Sequence, residues 1–444
     1  MKRLLLLLVL FLICTIVSAQ TVNLEQARTL GLANSRSLAR YELAIRASVL
    51  DERNQLYSML PQVSAGLTAS MGYFRNWEFV NPFDNFSAGA SFSVTQMIFQ
   101  GGKSFIQRAI NSISTESIRK DALAEYFNVL DSIDNAYYAV LESTAALEAE
   151  ESSLQAAVLA LSMAEIRHAS GMINQGDYLR ALANKETREN SRNQARRNLS
   201  LSMTRLRTLT GITEPVELEP VDFTIYEDVF KRLVGIQDDE ADSLYAAFWN
   251  ILAAANPSLV RAALNSQRAQ LNFSSIARDY APTITATVSS RVLDYSTANG
   301  FNNPGSTGSL TISGTIPVDF WVLSNRVERS RNDRDLALLN YTTTESSLEQ
   351  ELQNALFNLF TQAGSVLSSR RSLEYTERHF EYVMERYRLS QSSVSDLNEA
   401  SSLLISSRNS LNRATYSFLQ TLSRLRSICA LDDENELLRI LLTE

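Results

Sequence analysis

Two kinds of hydrophobic pattern alternate along the chain. From Val63 to Met71, every second position is apolar and the positions between are small or carry a hydroxyl group. The same period of two recurs further along the chain. A period of two is typical of β-strands with one apolar and one polar face. The sequence therefore predicts four strands of roughly ten residues, at about 62–73, 86–97, 283–295 and 308–318.

Helical sequence fills most of the remainder. From Lys103 to His168 there are 66 residues without glycine or proline, which as one helix would span about 100 Å. A short interruption at Gly171–Gly176 precedes helical sequence to about Thr210. The pattern returns from about Asn325 to Leu389, with an interruption at 390–395 and helix to about Ala430. Each stretch predicts an antiparallel hairpin. Heptad-like spacing such as Phe418, Leu422, Leu425 and Cys429 favours coiled-coil packing and a packing role for Cys429.

The two patterns occur twice in the same order. The motif Leu60–Ala65 recurs as Ala281–Ala286, 221 residues later, and Arg205–Arg207 recurs as Arg424–Arg426, 219 residues later. We interpret the chain as a tandem duplication in which each half carries a helix, two strands and a long hairpin. The predicted divisions are a signal peptide (1–19), a first repeat (20–219), an equatorial linker (220–241), a second repeat (242–431) and a C-terminal tail (432–444).

The amino terminus predicts export. Lys2 and Arg3 precede an apolar run from Leu4 to Val17, and Val17-Ser18-Ala19 supplies small residues for a signal peptidase. Processing at Cys14 to a lipoprotein is an alternative, although Leu12-Ile13 before it is a poor match. Cleavage after Ala19 would remove two positive charges and change the formal net charge from −8 to −10.

Charge and composition exclude several classes of function. The acidic chain has no basic cluster, which argues against nucleic acid as a partner. After cleavage only Cys429 would remain, so no internal disulfide can form. His168 and His379 stand alone in charged helical sequence, so no metal site is expected. No phosphate loop, nucleophile elbow or other catalytic motif occurs, and we expect neither an enzyme nor a cofactor.

The strand count predicts an oligomer. Single-chain membrane barrels have at least about eight strands, and an open sheet edge in lipid leaves backbone groups unpaired. If the sheet lies in a membrane, several chains must therefore share one barrel. The alternative is a soluble sheet with one wet face. Uncharged polar positions and aromatic residues near the turns favour the membrane; these aromatic residues are Tyr73, Phe74, Trp77, Phe79, Phe83, Phe86, Tyr295 and Phe301.

Local motifs resemble those of the TolC-like outer-membrane efflux proteins. The segment Gln96–Lys103 is similar to the segment through which that family enters its long helix, although Met97 stands where proline is usual. Its repeat partner, Ile316–Phe320, keeps the proline and lacks the glycines. The segments Arg167–Gly171 and Arg386–Ser390 resemble the family's hairpin tips. The resemblance covers nearly all of the mature chain.

The resemblance implies a mainly α-helical protein with a membrane β-barrel. Three identical chains would each give four strands to one twelve-stranded barrel in the outer-membrane lipid, and their hairpins would form a tunnel across the periplasm. It implies passive conduction, as the exit duct of a tripartite efflux or type I secretion system. An inner-membrane transporter would supply the energy through a periplasmic adaptor protein. The alternative is a non-conducting coiled-coil spacer or adhesin.

The same resemblance assigns roles at the tips. Asp177 and Tyr387 match positions whose contacts between hairpins hold the tunnel closed, and Asp396 and Glu399 match an acidic ring that favours cations. Acids at a helix start also suit the helix dipole without any gating role. Ser392 replaces an arginine that often ties the closed state. The adaptor is expected to dock on the tips, through Arg167, Gly171, Arg386 and Ser390.

Overall fold

A computed structural model describes residues 20–71, 74–75, 78–79, 86–213, 216–297, 300–302 and 308–443. The predicted signal peptide, with Cys14, lies outside the described residues. So do Tyr73, Trp77 and Phe83 of the predicted aromatic girdle, and the side chains of Phe74, Phe79 and Phe301.

Ten helices account for most of the described residues. Two of them are very long, and each is followed by a helix of 36 residues, so the two predicted hairpins are present. The helices are α1 (Leu24–Asn34), α2 (Arg36–Tyr57), α3 (Lys103–Ala169), α4 (Gln175–Thr210), α5 (Glu227–Gly235), α6 (Asp238–Ala255), α7 (Pro257–Ala277), α8 (Phe320–Arg388), α9 (Val394–Cys429) and α10 (Glu434–Thr443). No described helix is both long enough and apolar enough to cross a membrane.

Two helices that the sequence predicts as continuous, from Leu24 to about Leu60 and from Asp242 to about Tyr280, are each broken in two. The first breaks at Ser35, whose backbone is extended, and Asn34 donates a side-chain hydrogen bond to the carbonyl of Leu209 at 3.3 Å. The second breaks at Asn256, which is extended because a residue before proline disfavours the helical region. Asn256 donates to the carbonyl of Ile428 at 2.7 Å, so both breaks are held by tertiary contacts.

Nine strands occur in the described residues. Four are long: β2 (Gln62–Met71), β5 (Phe86–Gln100), β7 (Thr283–Ser296) and β9 (Gly308–Thr315). They form an antiparallel sheet in the order β2-β5-β7-β9. The short strands are β1 (Gln20–Val22), β3 (Phe74–Arg75), β4 (Glu78–Phe79), β6 (Val216–Leu218) and β8 (Gly300–Asn302). Strand β1 pairs with β6 in parallel, β3 pairs with β4, and β8 pairs with the end of β7.

Pairing in the main sheet places one kind of side chain on each face. Ser64 lies opposite Ser93, and the two hydroxyl oxygens are 2.7 Å apart. Between β7 and β9, the hydroxyl oxygens of Thr285 and Ser313 are paired in the same way, 2.9 Å apart. Apolar residues occupy the other face, where Leu67 is 88% exposed. The period of two in the sequence is therefore a ladder of paired hydroxyl groups backed by an exposed apolar surface.

The chain divides into two compact units. One comprises Met1–Ala39, Leu123–Pro257 and Ser346–Glu444, and the other comprises Arg40–Ala122 and Ser258–Glu345. The main sheet belongs entirely to the second unit, whereas helices α3 and α8 contribute residues to both units. The proposed division into two sequence repeats stays a prediction.

The first unit has a core built around helix α9. Phe418, Leu422, Leu425 and Cys429 are all buried, as their heptad-like spacing predicts. Burial raises the pKa of the Cys429 thiol to about 12. Helices α5 and α10, from the linker and tail segments, meet near Tyr226, whose hydroxyl donates to Glu434 at 2.6 Å.

Candidate functional site

The first hairpin tip turns through a left-handed glycine. Helix α3 ends at Ala169, and Gly171 has φ = +72°, a conformation that glycine adopts without steric cost. The N–H of Met172 donates to the carbonyl of Arg167 at 2.8 Å and so closes the helix end. Asn174 then caps α4, because its side chain accepts from the N–H of Asp177 at 2.8 Å.

The second tip makes the same turn without glycine. Ser390 has φ = +62°, which costs a non-glycine residue on the order of 1 kcal/mol. Arg386 donates from its guanidinium to the carbonyl of Gln391 at 2.9 Å. Ser392, which stands where the family that the sequence resembles often has arginine, donates to the carbonyl of Val383 at 3.2 Å. A set of local hydrogen bonds thus holds this turn.

Tyr387 and Arg167 join the two tips. Tyr387 is buried, and its hydroxyl donates to the carbonyl of Ala160 on α3 at 3.3 Å. The Arg167 guanidinium lies 4.5 Å from the centre of the tyrosine ring, within cation–π distance. It also donates to the backbone carbonyl of Tyr387 and, at 3.3 Å, to that of Arg388. Arg167 therefore fastens the end of the second hairpin to the first.

Small apolar side chains surround this contact. They let the helices approach closely around one tyrosine ring. Burial raises the pKa of Tyr387; the charge of Arg167 opposes this shift and that of Asp177 adds to it. The buried cluster consists of Ala160, Ala164, Ala181, Val383, Met384, Tyr387, Val394, Leu397 and Ala400.

The four predicted gate residues fall into two groups. Asp177 is half-buried, lies 3.7 Å from Arg180 on its own helix, and is near enough to Tyr387 to affect its pKa. Asp396 and Glu399 are exposed on the first turns of α9 and do not join that cluster. Thus Asp177 lies beside the buried tyrosine, whereas the other two carboxylates face away from it.

Asp396 has a structural role in its own helix. Its carboxylate accepts from the N–H of Ser393 at 2.9 Å, and the Ser393 hydroxyl accepts from the N–H of Asp396 at 3.1 Å. This reciprocal pair is a capping box. The hydrogen bonds from Ser393 lower the pKa of Asp396, so the carboxylate is charged at neutral pH.

The predicted docking residues differ in exposure. Gly171, Arg386 and Ser390 are exposed, whereas Arg167 is half-buried because it covers Tyr387. Three of these residues are therefore available to a partner. Arg167 already has a role within the chain.

Two polar contacts between the hairpins were missed in the sequence. The Asn184 side-chain amide donates to the Asn398 side-chain oxygen at 2.8 Å, and Arg188 donates to the Ser402 hydroxyl at 2.6 Å. Both donors lie on α4 and both acceptors on α9, one helical turn apart in each case. Matching polar positions at i and i+4 on two helices were the signal that could have found them.

The chain is similar to a known protein family over most of its length. The family described as outer membrane efflux protein matches residues 28–212 and 250–430, which is most of the chain. This protein belongs to that family. Family members are passive outer-membrane channels with a helical tunnel in the periplasm, and they are not enzymes. The family places the protein in the outer membrane.

Individual relatives agree with this family. Outer membrane protein TolC of Escherichia coli (strain K12) is 21% identical over 95% of this chain and 85% of TolC. The CmeC outer membrane channel of Campylobacter jejuni has a TM-score of 0.75 at 16% identity, covering 94% of this chain and 88% of CmeC. For outer membrane protein VceC of Vibrio cholerae the TM-score is 0.73 at 14% identity, covering 92% and 96%. These structures share the fold.

The predicted resemblance is thus confirmed, and so is a mainly α-helical fold that matches channels of this family. Closure of the barrel between chains stays a prediction. The match does not support the alternative of a non-conducting spacer or adhesin, because the family is one of efflux channels. Family members are homotrimers that work with adaptor proteins and inner-membrane pumps.

Proposed function

We propose that three copies of this chain form the exit duct of a tripartite efflux or type I secretion system. Each copy would give β2, β5, β7 and β9 to a shared twelve-stranded barrel in the outer membrane. An inner-membrane transporter would drive substrates into the duct through a periplasmic adaptor. The duct itself conducts passively.

The main sheet supports this proposal most directly. Its apolar face is exposed along the strands, as Leu67, Leu310 and Ile312 illustrate, and a contiguous apolar surface of this kind fits lipid. Within the described residues, the edge strands β2 and β9 each pair along one side only. In lipid, unpaired backbone groups cost several kcal/mol each. Pairing β9 of one copy with β2 of the next removes that cost.

The helices present further surface for neighbouring copies. Leu43 and Leu50 on α2, and Leu336 and Leu339 on α8, are large apolar side chains that one chain leaves exposed. They lie in the same compact unit as the sheet. Packing against adjacent copies would bury them, at roughly 1.5–3 kcal/mol for each fully buried side chain.

The hairpin tips would form the periplasmic gate and the adaptor-docking surface. Three copies of Asp396 and Glu399 at one constriction would make a dense negative ring that favours cations. Tyr387 would stabilise the closed arrangement from within the buried cluster, and Asp177 from beside it. The docking surface would use Gly171, Arg386 and Ser390 with the backbone that Arg167 fastens.

Single-channel recording in planar bilayers tests both parts of the proposal. The purified protein should be a trimer in detergent and give discrete conductance steps with a cation preference. In the double variant Asp396→Asn and Glu399→Gln, the cation-to-anion permeability ratio should fall toward one while conductance steps persist. Asparagine at 396 keeps a side-chain oxygen that can accept from the N–H of Ser393, the N-cap residue of α9.

Glu374→Gln is the matched control, since Glu374 is an exposed acid on α8 outside the tip. It should leave the permeability ratio unchanged. An unaltered ratio in the double variant would remove both residues from the gate. A monomer without conductance would overturn the duct itself.

A further inference from the structure

Three basic side chains meet where the main sheet joins the long helices. Lys103, the first residue of α3, forms an ion pair with Asp279, and Arg326 of α8 donates to the same carboxylate at 3.2 Å. Arg278, next to Asp279, donates to the carbonyl of Gly101 at 3.3 Å. Elements that are distant in sequence thus bring Lys103, Arg278 and Arg326 together, and we call these three residues the junction cluster.

The junction cluster carries more positive than negative charge. Asp279 is shared by two cations, whereas Arg278 donates to the neutral carbonyl of Gly101. Asp319, which precedes α8, adds one more acid and still leaves a net positive charge. Arg278 and Arg326 are exposed, so an anion can reach them from solvent or from a membrane surface.

Aromatic side chains surround the same junction. Trp321 is 71% exposed, and Phe105 is exposed to a similar degree. The rings of Tyr280 and Phe320 stack with centres 6.3 Å apart and an interplanar angle of 14°. Tryptophan and tyrosine concentrate where a membrane meets water. These residues therefore place the cluster at the depth of lipid headgroups.

We propose that the junction cluster binds the phosphate of an anionic phospholipid in the leaflet on the helical side of the sheet. This inference rests on the proposed placement of the sheet in a membrane. Arg278 and Arg326 would donate to the phosphate oxygens, because guanidinium groups form strong paired hydrogen bonds with phosphate. The acyl chains would lie on the apolar face of the strands.

The apolar surface beside the cluster favours a lipid over a free phosphate ion. Phe99 at the end of β5 and Ile316 just beyond β9 are exposed large hydrophobic residues. A free anion would gain nothing from them, whereas a phospholipid covers both the charged and the apolar parts. The bound lipid would fix the height of the barrel in the membrane.

Tryptophan fluorescence in vesicles tests this proposal. A variant with Trp77→Phe and Trp249→Phe keeps Trp321 as the single reporter beside the cluster. It is reconstituted in neutral phosphatidylcholine with increasing amounts of brominated phosphatidylglycerol or, separately, brominated phosphatidylcholine. Each cation near an anionic membrane surface strengthens lipid binding by about fivefold. The anionic lipid should therefore quench Trp321 at much lower mole fractions than the neutral lipid.

Arg278→Gln together with Arg326→Gln should abolish this preference, while Lys103 remains to pair with Asp279. Arg119→Gln is the matched control, because it removes one exposed charge from α3 about 24 Å along the helix from Lys103. Loss of the preference in the double variant alone supports the proposal. Equal quenching by the two lipids in the parent protein would overturn it.

Two further outcomes are distinguishable. If millimolar inorganic phosphate removes the preference at constant ionic strength, the site binds free anions and the lipid proposal fails. If neither lipid quenches Trp321 while the channel still conducts, the junction lies outside the membrane. The proposed lipid site is then refuted, but the proposed duct is not. If conductance is also absent, the proposed function fails as well.

Discussion

Replacing Asp134 by asparagine should strongly destabilise the first compact unit. Asp134 lies on α3 with its side chain 0% exposed, and its carboxylate accepts hydrogen bonds from three residues. Arg28 donates to both oxygens at 2.7 and 2.9 Å, and Ser423 and Arg426 each donate at 2.7 Å. One carboxylate therefore ties helices α1, α3 and α9 together.

The cost follows from the two arginines that would remain. The side chains of Arg28 and Arg426 are only 9% and 3% exposed, so solvent cannot screen their charges. Burial by itself would lower the pKa of Arg28, but the hydrogen bonds and charge of Asp134 raise it overall. Glu434 lies 3.4 Å from Arg28, and the exposed Glu25 on the same helix also pairs with it, so these two acids compensate in part. Removing one partner of a buried ion pair costs about 3–5 kcal/mol, and we expect Asp134→Asn to fall in that range.

Guanidinium-induced unfolding of the detergent-solubilised protein, followed by helical circular dichroism, measures this effect. A second variant, Arg28→Met with Asp134→Leu and Arg426→Met, replaces the three charged residues of the cluster by apolar residues of similar size. It should cost less than Asp134→Asn, because no buried charge is left unpaired. A loss below about 1 kcal/mol for Asp134→Asn, the range of exposed pairs, would refute the reasoning. So would a triple variant that is less stable than the single one.

Two smaller perturbations probe a pair of half-buried carboxylates and a tight turn. Burial raises the pKa of Glu142 and of Glu150, so the folded protein binds protons more tightly than the unfolded chain. The stability that these groups contribute is lost as the pH rises through their raised pKa values. The double variant Glu142→Gln with Glu150→Gln should therefore make the folded protein more stable at about pH 7. It should also reduce the gain in folding stability that follows acidification to about pH 5. Gly101→Ala should cost about 2 kcal/mol or more, since φ is +61° and the new Cβ would lie 2.7 Å from the Cβ of Ala281.

Matched variants and the same unfolding assay check both expectations. Glu148→Gln removes an exposed acid from the same helix and should leave the pH dependence unaltered. Gly102→Ala shares a positive φ, but its new Cβ would meet only the movable guanidinium of Arg278 at 3.0 Å, so it should cost less than Gly101→Ala. Equal losses of folding stability in Gly101→Ala and Gly102→Ala would contradict the reasoning about the turn. A variant with Glu142→Gln and Glu150→Gln that is more stable than the parent only at low pH would contradict the reasoning about the carboxylates.

Much of the fold could be predicted because its signals are local. The 66 residues without glycine or proline that begin with Lys103 became helix α3, and the apolar alternation around Leu67 became strand β2. The breaks at Ser35 and Asn256 were missed, because hydrogen bonds to segments far along the chain hold them. The β1–β6 pair was also missed, since three residues per strand carry no usable periodicity.

The tips were harder to predict than the helices that lead to them. Arg167 and Tyr387 could be located by resemblance, yet the stacking of one on the other depends on how two hairpins pack. The buried cluster around Asp134 left no sequence signal, because Arg28 and Arg426 lie 106 and 292 residues away from Asp134 along the chain. Local sequence patterns do not predict contacts between side chains that are so far apart along the chain.

Asp396 stabilises the start of α9 through the capping box and is also a residue of the proposed gate. Its carboxylate accepts a hydrogen bond from the backbone of Ser393, and this bond fixes the position of the negative charge. Under the proposed gate role, a substitution of Asp396 that altered ion preference would also loosen the beginning of a 36-residue helix. Glu399 lies outside the capping box and could be substituted without that cost.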